Sequence, residues 1–121
     1  MEILKLGVII LLLDSIYLNT TKSIFNKLVK KIQGENLVLN MKGAIMSYSL
    51  IIFSLYYFII RENKKPLDAF LLGLSIYGIF DATNIAIFKK YDSYIAYVDT
   101  IWGGILYALT TYLIRFIKKN Y

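Results

Sequence analysis

Apolar residues in this chain run in long blocks. Four stretches, 3–18, 43–60, 67–88 and 94–116, are dominated by Ile, Leu, Phe, Ala and Tyr. Each approaches the ~20 residues a helix needs to cross a bilayer core. The polar segments between them are short. RENKKP at 61–66 turns the chain, with Pro66 suited to the first turn of the next helix, and KKYDS at 89–93 turns it again. Residues 22–33, KSIFNKLVKKIQ, differ in kind: Ile24, Phe25, Leu28, Val29 and Ile32 recur at helical spacing, while Lys27, Lys30 and Lys31 fall largely on the other side. This pattern predicts an amphipathic helix lying in the membrane surface and closed by Gly34, with a solvated connector as the plainer alternative. The fold class predicted is all-α: a polytopic membrane protein in which one domain, 1–121, forms a four-helix transmembrane bundle with an interfacial helix between spans 1 and 2.

Composition supports this class. The 58% share of hydrophobic residues and the mean hydropathy of +0.58 exceed the range of soluble domains. Lys5 followed by LGVIILLL resembles a signal peptide, but no small-x-small cleavage site follows and Asp14 interrupts the run, so the block is expected to stay as the first helix. The net charge of +6 comes from basic pairs beside apolar blocks, namely Lys64–Lys65, Lys89–Lys90 and Lys118–Lys119. Such pairs suit lipid headgroups, and no stripe of stacking aromatics accompanies them, so the expected partner is the bilayer and not nucleic acid. Tyr56, Tyr57, Tyr91, Tyr94, Tyr97 and Tyr112 lie near span ends, where amphipathic rings favour the interface. Four spans place both termini on one side of the membrane, side A, and the KKYDS turn on side B. The 14 basic residues divide evenly between the two sides, so the charge rule leaves the orientation open.

Cys 0 and His 0 exclude disulfides, thiolate metal sites, cysteine nucleophiles and the commonest general base. No cofactor or metal motif is present. Attention therefore falls on acids inside the spans. Counted from the expected span ends at ~1.5 Å per residue, Asp14 lies ~6 Å, Asp99 ~7–8 Å and Asp81 ~10 Å beneath side B, with Asn84 and Tyr48 at ~6–8 Å. Three carboxylates from three helices thus share one slab. No Lys or Arg lies at that level, so at least one Asp is expected to hold a proton, or a cation must sit among them. Tyr17, Tyr48, Tyr77, Thr83, Asn84 and the Trp102 indole are the candidate donors. Small-residue rows, Gly78–Ala82–Ala86 on the third span and Ala96–Thr100–Gly104–Ala108 on the fourth, predict that these two helices pair closely.

LDSIYL at 13–18, KGAIMSY at 42–48, GIFDATNIAIF at 78–88 and VDTIWGG at 98–104 resemble a family of small, mainly bacterial membrane proteins catalogued as domain of unknown function 2177. The resemblance spans nearly the whole chain. Its most specific elements are Asp81-x-Thr83-Asn84 and Asp99-x-x-Trp102-Gly103; Asp14 and Gly43-Ala44 add weaker support. It implies a four-helix membrane fold and no particular activity.

Three functions fit these residues. The first is a pocket of Asp14, Tyr17, Tyr48, Tyr77, Asp81, Thr83, Asn84, Asp99 and Trp102 that binds or transports a proton, a cation or a small solute; a chain this small would need to form a homodimer to enclose a pathway. The second is a lipid-modifying enzyme in which the same oxygen ligands hold Mg²⁺ at the interface. The third is an assembly protein whose polar layer only fixes helix register.

Overall fold

The computed structural model describes residues 2–35 and 40–120. Four helices follow in order: α1 (Glu2–Gln33), α2 (Met41–Leu55) continued by a π-helical turn (Tyr56–Ile60), α3 (Pro66–Ile87) and α4 (Ser93–Asn120). Each is long and apolar enough to cross a membrane, and no strand occurs among the described residues. Exposed apolar side chains cover the outside, among them Leu4, Ile16, Met46, Ile79 and Ile87. Burial is thus reserved for the inner faces, as suits a bundle whose solvent is lipid.

The expected separate surface helix is not there: residues 22–33 are the last third of one uninterrupted 32-residue α1. The segment LNTTK at 18–22 contains no Gly or Pro to break the helix. Its polar residues are also accommodated within it, since the Thr20 and Thr21 hydroxyls donate to the Ile16 and Tyr17 carbonyls one turn back, at 2.9 and 2.8 Å. The helix stops where expected, at Gly34, whose φ of 80° favours glycine and whose N–H donates to the Lys30 carbonyl. At ~1.5 Å per residue α1 extends ~48 Å, well beyond a ~30 Å hydrocarbon core.

The other boundaries lie within two residues of their expected positions, except that α4 runs four residues past 116, to Asn120. Asn40 caps α2, its side chain accepting the Gly43 N–H at 3.1 Å. Pro66 opens α3, and Asp68 reaches back to accept the Lys65 N–H. Through the π-helical turn the Arg61 N–H donates to the Tyr56 carbonyl at 2.8 Å, and the Arg61 guanidinium lies 4.1 Å over the Tyr57 ring.

The most extensive helix contact is α3 with α4, as their small residues predict; Thr100 and Gly104 of the expected α4 row take part, but most of the expected α3 row does not. Ala82 and Ala86 are exposed, and only Gly78 of the expected α3 row faces α4, near Thr100. The closest approach is at Gly73, Gly103 and Gly104. A Cβ on Gly73 would lie 2.3 Å from the Gly103 carbonyl oxygen, and one on Gly103 would lie 2.2 Å from the Tyr77 ring. These glycines admit the neighbouring helix itself. Toward side A, Leu6 and Ile10 of α1, Leu55 and Ile59, Ala69 of α3 and Leu106, Tyr107 and Ile114 of α4 form the apolar core. The polar residues gather above it.

Candidate functional site

Asp14, Asp81 and Asp99 are all buried, Asp81 to 1% exposure, although Ile79 and Phe80 beside it are exposed. Each acid therefore faces the bundle interior while its neighbours face outward. Both oxygens of Asp14 and of Asp81, and one of Asp99, accept hydrogen bonds. The Trp102 indole N–H donates to Asp14 at 3.0 Å, and the Tyr48 hydroxyl donates to the other Asp14 oxygen. Tyr17 donates to Asp99 at 3.1 Å. Asp81 accepts from the Tyr91 and Thr100 hydroxyls, each at 3.1 Å. The Tyr17 and Trp102 rings stack at 4.7 Å, only 2° from parallel.

These contacts form a reciprocal clasp. Asp14 of α1 is held by Trp102 of α4, and Asp99 of α4 is held by Tyr17 of α1. In each helix the acid and the aromatic stand three residues apart, on one face of adjacent turns. The two segments, Asp14-Ser15-Ile16-Tyr17 and Asp99-Thr100-Ile101-Trp102, share a D-[S/T]-I-[Y/W] pattern. Run antiparallel, two copies of this pattern place each acid opposite the other's aromatic. The repeat is readable in the letters, yet depth counting alone does not reveal it.

Asp81 joins this pair from α3. Its Thr100 donor is the chain neighbour of Asp99, which sets the two acids in the same buried layer. No Lys or Arg forms an ion pair with any of the three acids among the described residues. The acids converge, as expected, but one depth is revised. Because α1 continues past residue 18, Asp14 is measured against Trp102, nine residues into α4, which places it ~14 Å from the helix start. Asp99, six residues in, lies at ~9 Å. The layer is thus about one helical turn thick.

Of the remaining expected residues, Tyr77 packs its ring against Gly103 and donates to none of the three acids among the described residues. Asn84 approaches the Tyr91 hydroxyl. Thr83 lies outside the network: it is exposed, and its hydroxyl donates to the Ile79 carbonyl at 2.7 Å. Two donors were not anticipated. Tyr91 reads in the sequence as an interfacial ring and Thr100 as a small packing residue; the first is delivered by the α3–α4 turn and the second by the face it shares with Gly104. Burial pushes the Tyr91 phenol up to about 12, so it remains a neutral donor across the physiological range.

No three acidic side chains among the described residues are disposed to hold a metal ion. Two surface grooves lie away from the layer. One is lined by residues of α1, α4 and the preceding turn, and the other by Phe58, Ile59, Lys64, Asp68, Leu71, Leu72 and Ser75.

Four apolar helices around an internal carboxyl layer define an integral, multi-pass membrane protein. The chain belongs to the predicted membrane protein family, domain of unknown function 2177, whose match covers residues 1–115. No curated protein and no solved structure matches it.

Proposed function

We propose that the protein binds a proton, or a small cation in its place, at the carboxyl layer and serves proton- or cation-linked transport across its membrane. The observation carrying this reading is the burial of Asp14, Asp81 and Asp99 in one layer without a basic partner among the described residues, with Asp81 bonded to Thr100, the chain neighbour of Asp99. Ionised carboxylates sharing a buried layer repel each other strongly in a medium of low dielectric constant. A bound proton or cation removes the repulsion. Tyr17, Tyr48, Tyr91, Thr100 and Trp102 donate to the three acids, so a single charge entering the layer meets carboxyl groups already held in place. The broader pocket of Asp14, Tyr17, Tyr48, Tyr77, Asp81, Asn84, Asp99 and Trp102 belongs to this proposal, with the homodimer as its route to an enclosed pathway.

Infrared difference spectroscopy on reconstituted protein tests it. Wild type is expected to show a protonated carboxyl band at neutral pH that Asp81→Asn and Asp99→Asn each remove, with loss of pH-driven uptake into the vesicles. A band absent from wild type in sodium-free and potassium-free buffer would defeat the proton form, and unaltered uptake in both variants would defeat transport. A second reading is favoured by the five interhelical and turn donors that the acids already engage: a polar layer that fixes helix register and does no chemistry. It requires both variants to lower thermal stability while leaving uptake intact.

A further inference from the structure

A groove of about 230 Å³ lies at the side-B end, between the last third of α1 and the start of α4, lined by Ile24, Lys27, Leu28, Lys31, Asp92 and Ile95. The proposed function makes no use of it. Its walls differ in chemistry. Leu28 and Ile95 are buried and form an apolar floor, extended outward by Ile24. Lys27 and Lys31, one helical turn apart, are exposed, and neither forms an ion pair among the described residues. Asp92 also lines the groove and forms no ion pair with either lysine among the described residues; one of its oxygens accepts the Tyr94 N–H at 2.8 Å, and two lysines against one carboxylate leave the groove net positive.

The groove also sits at a defined level. Ile95 is one turn before Asp99 on α4, and Ile24 is two turns past Tyr17 on α1, so the groove lies on the side-B side of the Tyr17–Asp99 bond. This is where the apolar run of α4 gives way to the KKYDS turn, the level of lipid headgroups in a bundle of this length.

We infer that this groove seats one anionic phospholipid, its phosphate between Lys27 and Lys31 and its first acyl carbons against Ile24, Leu28 and Ile95. A soluble anion would satisfy the two ammonium groups and leave the apolar wall bare. An uncharged hydrocarbon would do the reverse. An amphiphile with an anionic head satisfies both, and lysine stems can lie along its apolar portion while their heads reach the phosphate. The C-terminal third of α1, too polar to span, thereby acquires a role as the wall of a lipid site.

Native mass spectrometry on detergent-purified, delipidated protein tests the inference, with dioleoyl phosphatidylglycerol as the probe. Wild type should retain one such lipid at low lipid ratios and favour it over dioleoyl phosphatidylcholine. Lys27→Gln with Lys31→Gln should weaken retention roughly tenfold or more, from the loss of two cation–phosphate contacts. The charge-matched pair Lys64→Gln with Lys65→Gln should not. Ile24→Trp, which fills the groove and keeps its charge, should also abolish retention. Equal loss in the Lys64/Lys65 control would mean general surface attraction and overturn the site. Competition by inorganic phosphate at the same concentration, or no preference between the two lipids, would overturn the lipid assignment. The carboxyl band described above should be unchanged in all groove variants, so failure here is distinct from failure of the proton reading.

Discussion

Asp14 and Asp99 each depend on an aromatic donor from the opposite helix, and this makes their contributions separable. Replacing Trp102 with Phe keeps most of the stacking on Tyr17 and removes one donor to Asp14. Asp14→Asn removes the charged acceptor and presents an amide in its place. A double-mutant cycle on Asp14→Asn and Trp102→Phe, read as unfolding free energy in micelles, should give a coupling of about 0.6 and up to about 1.7 kcal/mol, the span of interhelical hydrogen bonds in membranes. Asp99→Asn with Tyr17→Phe should give a similar value, whereas Asp99→Asn with Ser75→Ala, whose hydroxyl donates only within α3, should give none. Tyr91 permits a pH test. Its phenol is raised from 10.0 to about 12, so its contribution to stability is complete below about pH 10 and disappears as pH rises through about 12. Melting curves of wild type and Tyr91→Phe should therefore converge over that alkaline window; a difference unchanged through pH 12 would contradict the buried placement of Tyr91.

At the level of helices, packing is decided by three glycines. Gly103→Ala forces a Cβ to within 2.2 Å of the Tyr77 ring, and Gly73→Ala places one 2.3 Å from a backbone oxygen, where no flexible side chain can yield. Each should cost about 1–3 kcal/mol in denaturant titration, Gly103→Ala by displacing the Tyr77 ring and Gly73→Ala by forcing the α3 and α4 backbones apart. Gly43→Ala, whose Cβ would stand 4.0 Å from the nearest atom, should be neutral or slightly stabilising. The sequence makes the α3–α4 pairing and the Thr100 and Gly104 side of its seam legible, but misplaces the seam on α3, because that helix is rich in small residues and rotation about its axis is not encoded by spacing alone. Gly78 takes part; Ala82 and Ala86 face outward. The length of α1 was hidden for another reason. The change from apolar to amphipathic pattern at residue 22 marks a change of surroundings, and the absence of Gly or Pro from 18–22 is the signal that the helix itself does not end. Turns with explicit backbone chemistry, Gly34 and Pro66, are placed correctly by the letters alone, whereas the Asn40 cap emerges only in the structure.

Over the whole molecule, convergence of three acids was legible because antiparallel helices map sequence distance from a turn onto depth. Their donors were less so: Tyr91 reaches Asp81 from outside the spans, and the D-[S/T]-I-[Y/W] pair acquires meaning only when α1 and α4 lie side by side. The same antiparallel order yields a test of topology, made simple by a chain with Cys 0. Single cysteines at Lys30, near the end of α1, and Lys90, in the α3–α4 turn, should react with a membrane-impermeant maleimide from one face of sealed vesicles. A cysteine at Lys64, in the turn after α2, should react only from the other. Ser15→Cys points outward from the middle of α1, at a level where lipid surrounds it, and should react from neither face despite its exposure. Continuity of α1 adds a sharper expectation. A helix ~48 Å long carries its final turns beyond the hydrocarbon, so Lys30→Cys should react as fast as Lys90→Cys. A helix lying flat in the headgroup region would slow it. Labelling of Lys30→Cys and Lys64→Cys from the same face would be incompatible with this bundle, because α2 would then not cross the membrane between them.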